Sequence, residues 1–336
     1  MRWGLAWSAD VEVAAHAEDA GASAFCTGEF ADVNAYVTCA EMAKSTASTM
    51  IGPGIAYAFA RSPFVHAAAI RQLSAIAPGR VFLGLGAGTR RMNQDWFGVD
   101  SSHPAARMGE LIEVIRMYLQ AENGETISYC GDYYAVHADI RAPVLGRLDV
   151  PILVGAFNKM MMRVVGRSAD GVLGHGLFTD RWWDEVADPE MARGALEGNR
   201  DGAALRRWGW VLAAIDDSDP DRAITEAKQQ IAFYLTVKTY DALVELHGWH
   251  DEVDAIRKSF WSGDSKGMAQ HVTDDMLWSI AVCGDTAQAA EMLAARKRLP
   301  QTGFPSPPSF LISPRRKSQY DRSLIEMCDR ITSLKH

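Results

Sequence analysis

Two groups of residues in this chain have types and spacings that can do chemistry. The run Gly79-Arg-Val-Phe-Leu-Gly-Leu-Gly-Ala-Gly-Thr-Arg90 reads as a buried strand, Val81 to Leu85, opening into a loop almost free of side chains and then two arginines. Gly84, Gly86 and Gly88 let a flat or anionic ligand approach the backbone closely, and Arg90 and Arg91 would meet its negative groups. The second group is a pair of titratable side chains, Glu29 and His175, suited to proton transfer. A glycine-rich turn after a strand also suggests a dinucleotide fold. Here Gly84-x-Gly86-x-Gly88 is not the full fingerprint, Arg90 to Asp95 is polar and opens no apolar-periodic helix, and three strand–helix units come before it.

Glycines and arginines act only where a scaffold holds them. The chain has 336 residues, 48% of them hydrophobic, enough for one dominant domain over 1–336 with a large core. A formal charge of −8 argues against nucleic acid as a partner. No apolar run approaches a membrane span, and the N-terminus enters a strand with no signal-like region. The five cysteines are widely spaced and form no Cys-x-x-Cys pair, so no zinc site or disulfide framework is expected. His247 and His250 lack a third ligand, and no metal site is expected there either. The expected location is cytoplasmic.

Short apolar runs alternate with amphipathic segments. Strands are expected at Trp3–Trp7, Ala24–Thr27, Thr49–Tyr57, Val81–Leu85, Pro151–Val154, Gly171–Leu173, Trp208–Ile215 and Ser309–Ile312. Helices are expected from Val11 behind the N-cap Asp10, over Ala35–Ser45, from Pro63, over Pro104–Leu119, Asn158–Ser168, within Asp180–Gly198, over Pro220–Leu235 and over Ser323–Ser333. Two stretches interrupt the repeat. Thr126–Val136 carries a two-residue hairpin signal at Gly131-Asp132, inside an insertion of about 122–150. A mostly helical expansion covers about 237–305. Eight strand–helix units point to an α/β protein of the (β/α)8 TIM-barrel class, with an open doubly wound sheet as the alternative.

In such a barrel the chemistry sits at the C-terminal strand ends. Those ends carry Trp7 and Ser8, Gly28-Glu29-Phe30, Tyr57 to Arg61, Ala87 to Arg90, Gly155 to Asn158, and Gly174-His175-Gly176. Gly155 and Ala156 lead into a helix start, which favours phosphate. Trp7, Tyr57 and Phe59 either face a ligand ring or pack in the core.

At these residues the chain resembles the bacterial luciferase-like flavin and deazaflavin oxidoreductases. Gly79 to Gly88 resembles their commonest signature, Ala169-Asp-Gly-Val-Leu the segment before the sixth strand end, and Ile127 to Val136 their hairpin insertion. Ile51-Gly-Pro-Gly-Ile-Ala-Tyr-Ala-Phe-Ala-Arg-Ser-Pro is similar to the third strand of methylenetetrahydromethanopterin reductases, which use coenzyme F420. The resemblance covers residues 1 to 215 well and the rest weakly. It implies an F420-dependent oxidoreductase moving hydride to or from a small organic substrate, with FMN-dependent monooxygenation or a non-catalytic flavin-binding barrel as alternatives. It implies a cis peptide at Gly54–Ile55, which would back the cofactor ring together with Ala56. Trp7, Gly88, Thr89, Arg90, Asn93, Gly155 and Ala156 complete the implied cofactor set, Asn93 across a one-residue alignment gap. A homodimer is implied on the same ground.

Two departures matter. Many relatives carry Asp-His where this chain has Gly28-Glu29, and many deazaflavin dehydrogenases carry glutamate at the position of Thr89, which puts a sugar-phosphate dehydrogenase role in doubt. Glu29 is the first candidate acid or base, with a raised pKa expected if it is buried beside an aromatic ring. The alternative is a carboxylate paired with Arg61 or Arg2. His175, between two glycines, is the second candidate. His66 reads as structural, Met160 to Met162 as core filler, and Trp182, Trp183 and Trp261 as a cover for the barrel mouth.

Overall fold

The computed structural model describes residues 1–6, 11–140 and 146–333. The chain divides into two compact units, each assembled from separate segments: Phe25–Leu173 with Glu190–Arg207, and Met1–Ala24 with Gly174–Pro189 and Trp208–His336.

The first unit is built on parallel strands buried on both faces, so its strands read as unbroken apolar or glycine runs. Ala56–Tyr57, Leu83–Gly86, Ile152–Gly155 and Gly171–Gly174 (in this unit to Leu173) lie side by side and parallel. Their register places Tyr57 opposite Gly86, Gly86 opposite Gly155, and Leu173 opposite Gly155, one row across the C-terminal strand ends. Ala24–Thr27 neighbours Met50–Pro53, and Ile51 bridges to Val81. The expected single strand Thr49–Tyr57 is broken in two by a cis peptide at Gly54–Ile55, where the Gly54 N–H donates to the Thr27 carbonyl at 2.6 Å. Gly84 permits this crowding: a Cβ there would lie 2.1 Å from the Pro53 carbonyl oxygen.

Helices Ala35–Ser45, Pro63–Ile76, Pro104–Gln120 and Lys159–Ser168 follow the strands of this unit. Their starts are set by local chemistry. Asn34 accepts from the Tyr36 and Val37 N–H groups, Ser62 from Val65 with Pro63 in the first turn, and Asn158 from Met161. The hairpin is present as Thr126–Cys130 against Ala135–Asp139. Its loop holds four residues, not the two expected, because the Glu110 carboxylate accepts the N–H groups of Asp132, Tyr133 and Tyr134 and stabilises a wider turn.

The second unit carries the parallel strands Arg2–Trp3, Thr302–Ser306, Arg206–Ile215 (in this unit from Trp208) and Val282–Gly284. Two expectations are corrected here. The last strand is Thr302–Ser306, not Ser309–Ile312; Pro305 reads as a strand breaker, yet it lies in register opposite Val211. Ser309 and Phe310 instead donate their N–H groups to Gln230 Oε1 at 2.7 and 2.9 Å. The expansion before it is mostly helical but contains the short strand Val282–Gly284, paired with Ala213–Ile215.

The closing helix, Pro314–Ser333, is longer than expected and is anchored by a buried charge cluster. Arg316 donates to both Asp216 and Glu226, and Tyr320 donates its hydroxyl to Glu226. The side chains of these three charged residues are 6%, 4% and 9% exposed. Trp182 and Trp183 are buried in the core rather than covering an opening, while Trp261 is exposed. No helix among the described residues is long and apolar enough to cross a membrane. Both units follow the strand–helix order of the (β/α)8 class.

Candidate functional site

Every expected cofactor residue except Trp7, which lies outside the described residues, falls in the first unit near its C-terminal strand ends. The Ile55 side chain, next to the cis bond, lies across the neighbouring strands. A Cβ on Gly86 would lie 2.6 Å from Ile55 Cδ1, and one on Gly155 would lie 3.1 Å from Ile55 Cγ2. Two glycines thus leave room for one branched apolar side chain, which forms a pad over the strand ends. Ala56 beside it is fully buried, and Ala156 is buried at the end of the next strand.

The loop after Gly86 forms the rim. Gly88 takes φ +69°, a conformation open mainly to glycine. Its missing side chain would meet the Tyr57 ring at 3.5 Å and Asn93 Nδ2 at 3.6 Å. Thr89 and Arg90 are exposed; Thr89 Oγ1 accepts from the Met92 N–H and Arg90 donates to Gln94 at 3.3 Å. The segment expected to be irregular turns helically instead, with a π turn at Met92–Trp96. Asn93 is buried under it. Its amide nitrogen donates to the carbonyls of Ala87 and Thr89 at 2.8 and 3.0 Å, while its buried Oδ1 has no partner among the described residues.

Glu29 sits at the end of the Ala24–Thr27 strand and is held on all sides. It accepts from both terminal nitrogens of Arg61, from the Tyr57 N–H at 2.8 Å and from the Ala35 N–H at 3.4 Å. Of the two partners weighed, Arg61 is the one present. Burial works against the charged carboxyl, but the Arg61 and backbone donors outweigh it, and the pKa lies below the usual value. The expected raised pKa is therefore not found: an arginine occupies the place where an apolar ring alone would have raised it.

Arg61 is itself held from behind. Its guanidinium lies 5.2 Å from the Tyr36 ring centre. The Tyr36 hydroxyl meets His66 Nδ1 at 2.5 Å, and His66 Nε2 meets the Ala58 carbonyl at 3.0 Å. Since the carbonyl can only accept, Nε2 carries the proton and Nδ1 accepts from Tyr36. Burial pushes the His66 pKa down to about 4. His66 is structural, as expected, and braces the turn that carries Tyr57 and Arg61. The sequence offers no spacing that links it to Tyr36.

A cavity of about 380 Å³ opens beside the Glu29–Arg61 pair. Phe30, Tyr57, Trp96 and Phe97 line it, with Phe30 edge-on to Trp96 at 5.7 Å and Tyr57 tilted against Phe97 at 5.1 Å. Trp96 and Phe97 have no signal in the sequence, since they follow a polar run.

His175 belongs to the second unit. It lines a cavity of about 200 Å³ with Trp210, Leu212, Tyr234 and Ser306. Its Nδ1 accepts from the Leu177 N–H at 3.2 Å, and its Nε2 lies 3.0 Å from the Tyr240 hydroxyl. Burial pushes its pKa down to about 4, so the ring is neutral near pH 7. His247 stacks on Trp249 at 4.1 Å.

Known proteins share this arrangement of strands. A family model described as luciferase-like monooxygenase matches residues 4–302. An uncharacterized protein of Mycobacterium tuberculosis (strain ATCC 25618 / H37Rv) is 31% identical over 260 residues, 76% of each chain. The 5,10-methylenetetrahydromethanopterin reductase of Archaeoglobus fulgidus is 27% identical over 283 residues, 82% of each chain. The solved coenzyme F420 dependent tetrahydromethanopterin reductase of Methanopyrus kandleri superposes with a TM-score of 0.78 at 24% identity, over 98% of this chain and 97% of that one. The fold is accordingly the (β/α)8 class that the strand–helix order led us to expect, and the chain belongs to the luciferase-like monooxygenase family.

Proposed function

We propose that this protein is an F420-dependent oxidoreductase acting on a small organic substrate. One observation carries the reading: the Ile55 side chain lies over Gly86 and Gly155 at the strand ends, an apolar pad for one face of a planar ring. The reductase relatives support F420 over FMN.

The residues present fit the cofactor. Asn93 Oδ1, buried and without a partner among the described residues, is an acceptor available to a ligand donor. When bound, F420 exchanges hydride with the substrate. Ile55, Gly54 and Ala56 support the ring. Gly88, Thr89 and Arg90 form an exposed, cationic rim for the phosphate-bearing tail, and Gly155 and Ala156 close its inner edge. Glu29, with Arg61 in place, fixes the Tyr57 backbone and the guanidinium beside the cavity; acting as a proton donor requires that Arg61 first be drawn off it. His175, neutral, serves as the second candidate for proton transfer. A homodimer and a cytoplasmic location complete the proposal; exposed Val37, Phe64 and Val65, on two helices of the first unit, support pairing.

Calorimetric titration of the purified protein with F420 and with FMN tests the reading. F420 is expected to bind, and Gly86→Ala, which drives a Cβ into Ile55, is expected to weaken it about tenfold. FMN binding with no F420 affinity would reverse the assignment.

A further inference from the structure

The cavity beside the cofactor pad has walls of one kind and a floor of another. Phe30 and Trp96 are large, exposed and apolar, 58% and 53% accessible, and they meet edge to face across its mouth. Isolated exposed apolar residues need no explanation, but a pair lining a cavity with two further rings, Tyr57 and Phe97, is a surface for a flat apolar body.

The floor is the Glu29–Arg61 pair, and its hydrogen-bonding capacity is one-sided. A carboxylate has about four acceptor sites. Glu29 receives four donors, two from Arg61 and one each from Tyr57 and Ala35, so its acceptors are filled. Arg61 has five N–H donors; two go to Glu29, which leaves three without a partner among the described residues. Its side chain is 17% exposed against 6% for Glu29. What the pair still offers a ligand is donors. Its charge is already balanced by Glu29, and the one other ionisable carboxylate lining the cavity among the described residues, Asp32, is exposed at the rim. An anion would gain little there, and a cation would find no open acceptor on the floor.

We propose that this cavity is the substrate pocket and that it takes a planar, conjugated carbonyl compound, its ring lying against the Phe30–Trp96 pair and its carbonyl oxygen accepting from Arg61. The proposal deepens the F420 reading and rests on it for the fate of the substrate. The carbonyl carbon takes its hydride from reduced F420, which leaves in the oxidised form; the C=O π pair moves onto the oxygen, where Arg61 stabilises the negative charge, and a proton from water completes the alcohol. The Tyr36–His66 brace holds the guanidinium in place for this.

Binding alone tests the pocket, without turnover. Acetophenone, benzoate and benzylamine share one ring and differ in the group offered to Arg61. Ligand-observed NMR titrations of the whole protein measure their affinities, with and without saturating F420. Acetophenone is expected to bind about tenfold more tightly than benzylamine, the difference a hydrogen bond from a charged donor makes. It should also bind more tightly than benzoate, and F420 should not displace it. Trp96→Ala removes an exposed ring and leaves the core intact; it should lower acetophenone affinity severalfold. Equal affinities for the three probes, tighter benzoate, displacement by F420, or an unchanged Trp96→Ala affinity would each overturn the proposal. Acetophenone binding in a protein with no F420 affinity would leave the pocket standing and refute the cofactor reading instead.

Discussion

Arg61→Met removes the cation from Glu29 while leaving a side chain of similar length. Glu29 keeps its bonds from the Tyr57 and Ala35 N–H groups but loses two charge-assisted ones. Exposed ion pairs contribute about 0–1 kcal/mol, and breaking a fully buried pair costs about 3–5 kcal/mol. With the two side chains 17% and 6% exposed, this pair lies between these limits but nearer the second, and a loss of about 2–3 kcal/mol follows. The pH dependence supplies the sharper check. In the wild type the Glu29 pKa is depressed, so its contribution is present above the ordinary carboxylate range and is lost only as pH falls through the lower folded value. Between pH 7.5 and 5 that contribution should be flat. In the variant the burial remains and the cation is gone, so the folded pKa rises above the unfolded one. The destabilisation is then greatest at high pH and shrinks as Glu29 takes up a proton on acidification. Urea unfolding of both proteins at pH 7.5, 6 and 5 measures this. A deficit below about 1 kcal/mol at pH 7.5, or one that widens towards pH 5, refutes the account of Glu29 as a buried, arginine-held carboxylate.

Two further outcomes concern buried charge elsewhere. Arg316→Met strands Asp216 and Glu226 together without their shared cation and should cost about 3–5 kcal/mol in urea unfolding; adding Asp216→Asn and Glu226→Gln to it should recover much of the loss. His66 and His175 both have pKa values pushed by burial to about 4, whereas the unfolded chain protonates them near 6.5. The unfolded state therefore binds more protons over that interval, and stability should fall as pH drops from about 6.5 towards 4. Histidine ring resonances of these two should not titrate between pH 8 and 5.5, and a midpoint near 6.5 for either would contradict its burial.

Much of the scaffold could be read from local pattern. The strand Ala24–Thr27 and the helices Ala35–Ser45 and Pro220–Leu235 stand where their apolar periodicity places them, and Asn34 caps the first of the two helices. The break at Gly54–Ile55 followed from a resemblance, not from any spacing rule, and is present. Reading failed where neighbours override local preference: Pro305 inside a strand held on both sides, and Val282–Gly284 within a helical expansion.

For the site the division is sharper. The one-dimensional chain determined which residues stand at strand ends, since that depends on period; Gly84 and Gly86 read in it as room for a ligand, whereas the fold packs them against Pro53 and Ile55. Only the fold decided that Arg61 occupies the Glu29 carboxyl and turns its pKa downward, that Tyr36 and His66 brace that arginine, and that Trp96 faces Phe30 across a cavity. The pairs Tyr36–His66, Glu29–Arg61 and Phe30–Trp96 lie 30, 32 and 66 residues apart in the chain, and a charge's environment is set by distances in space that no sequence separation encodes.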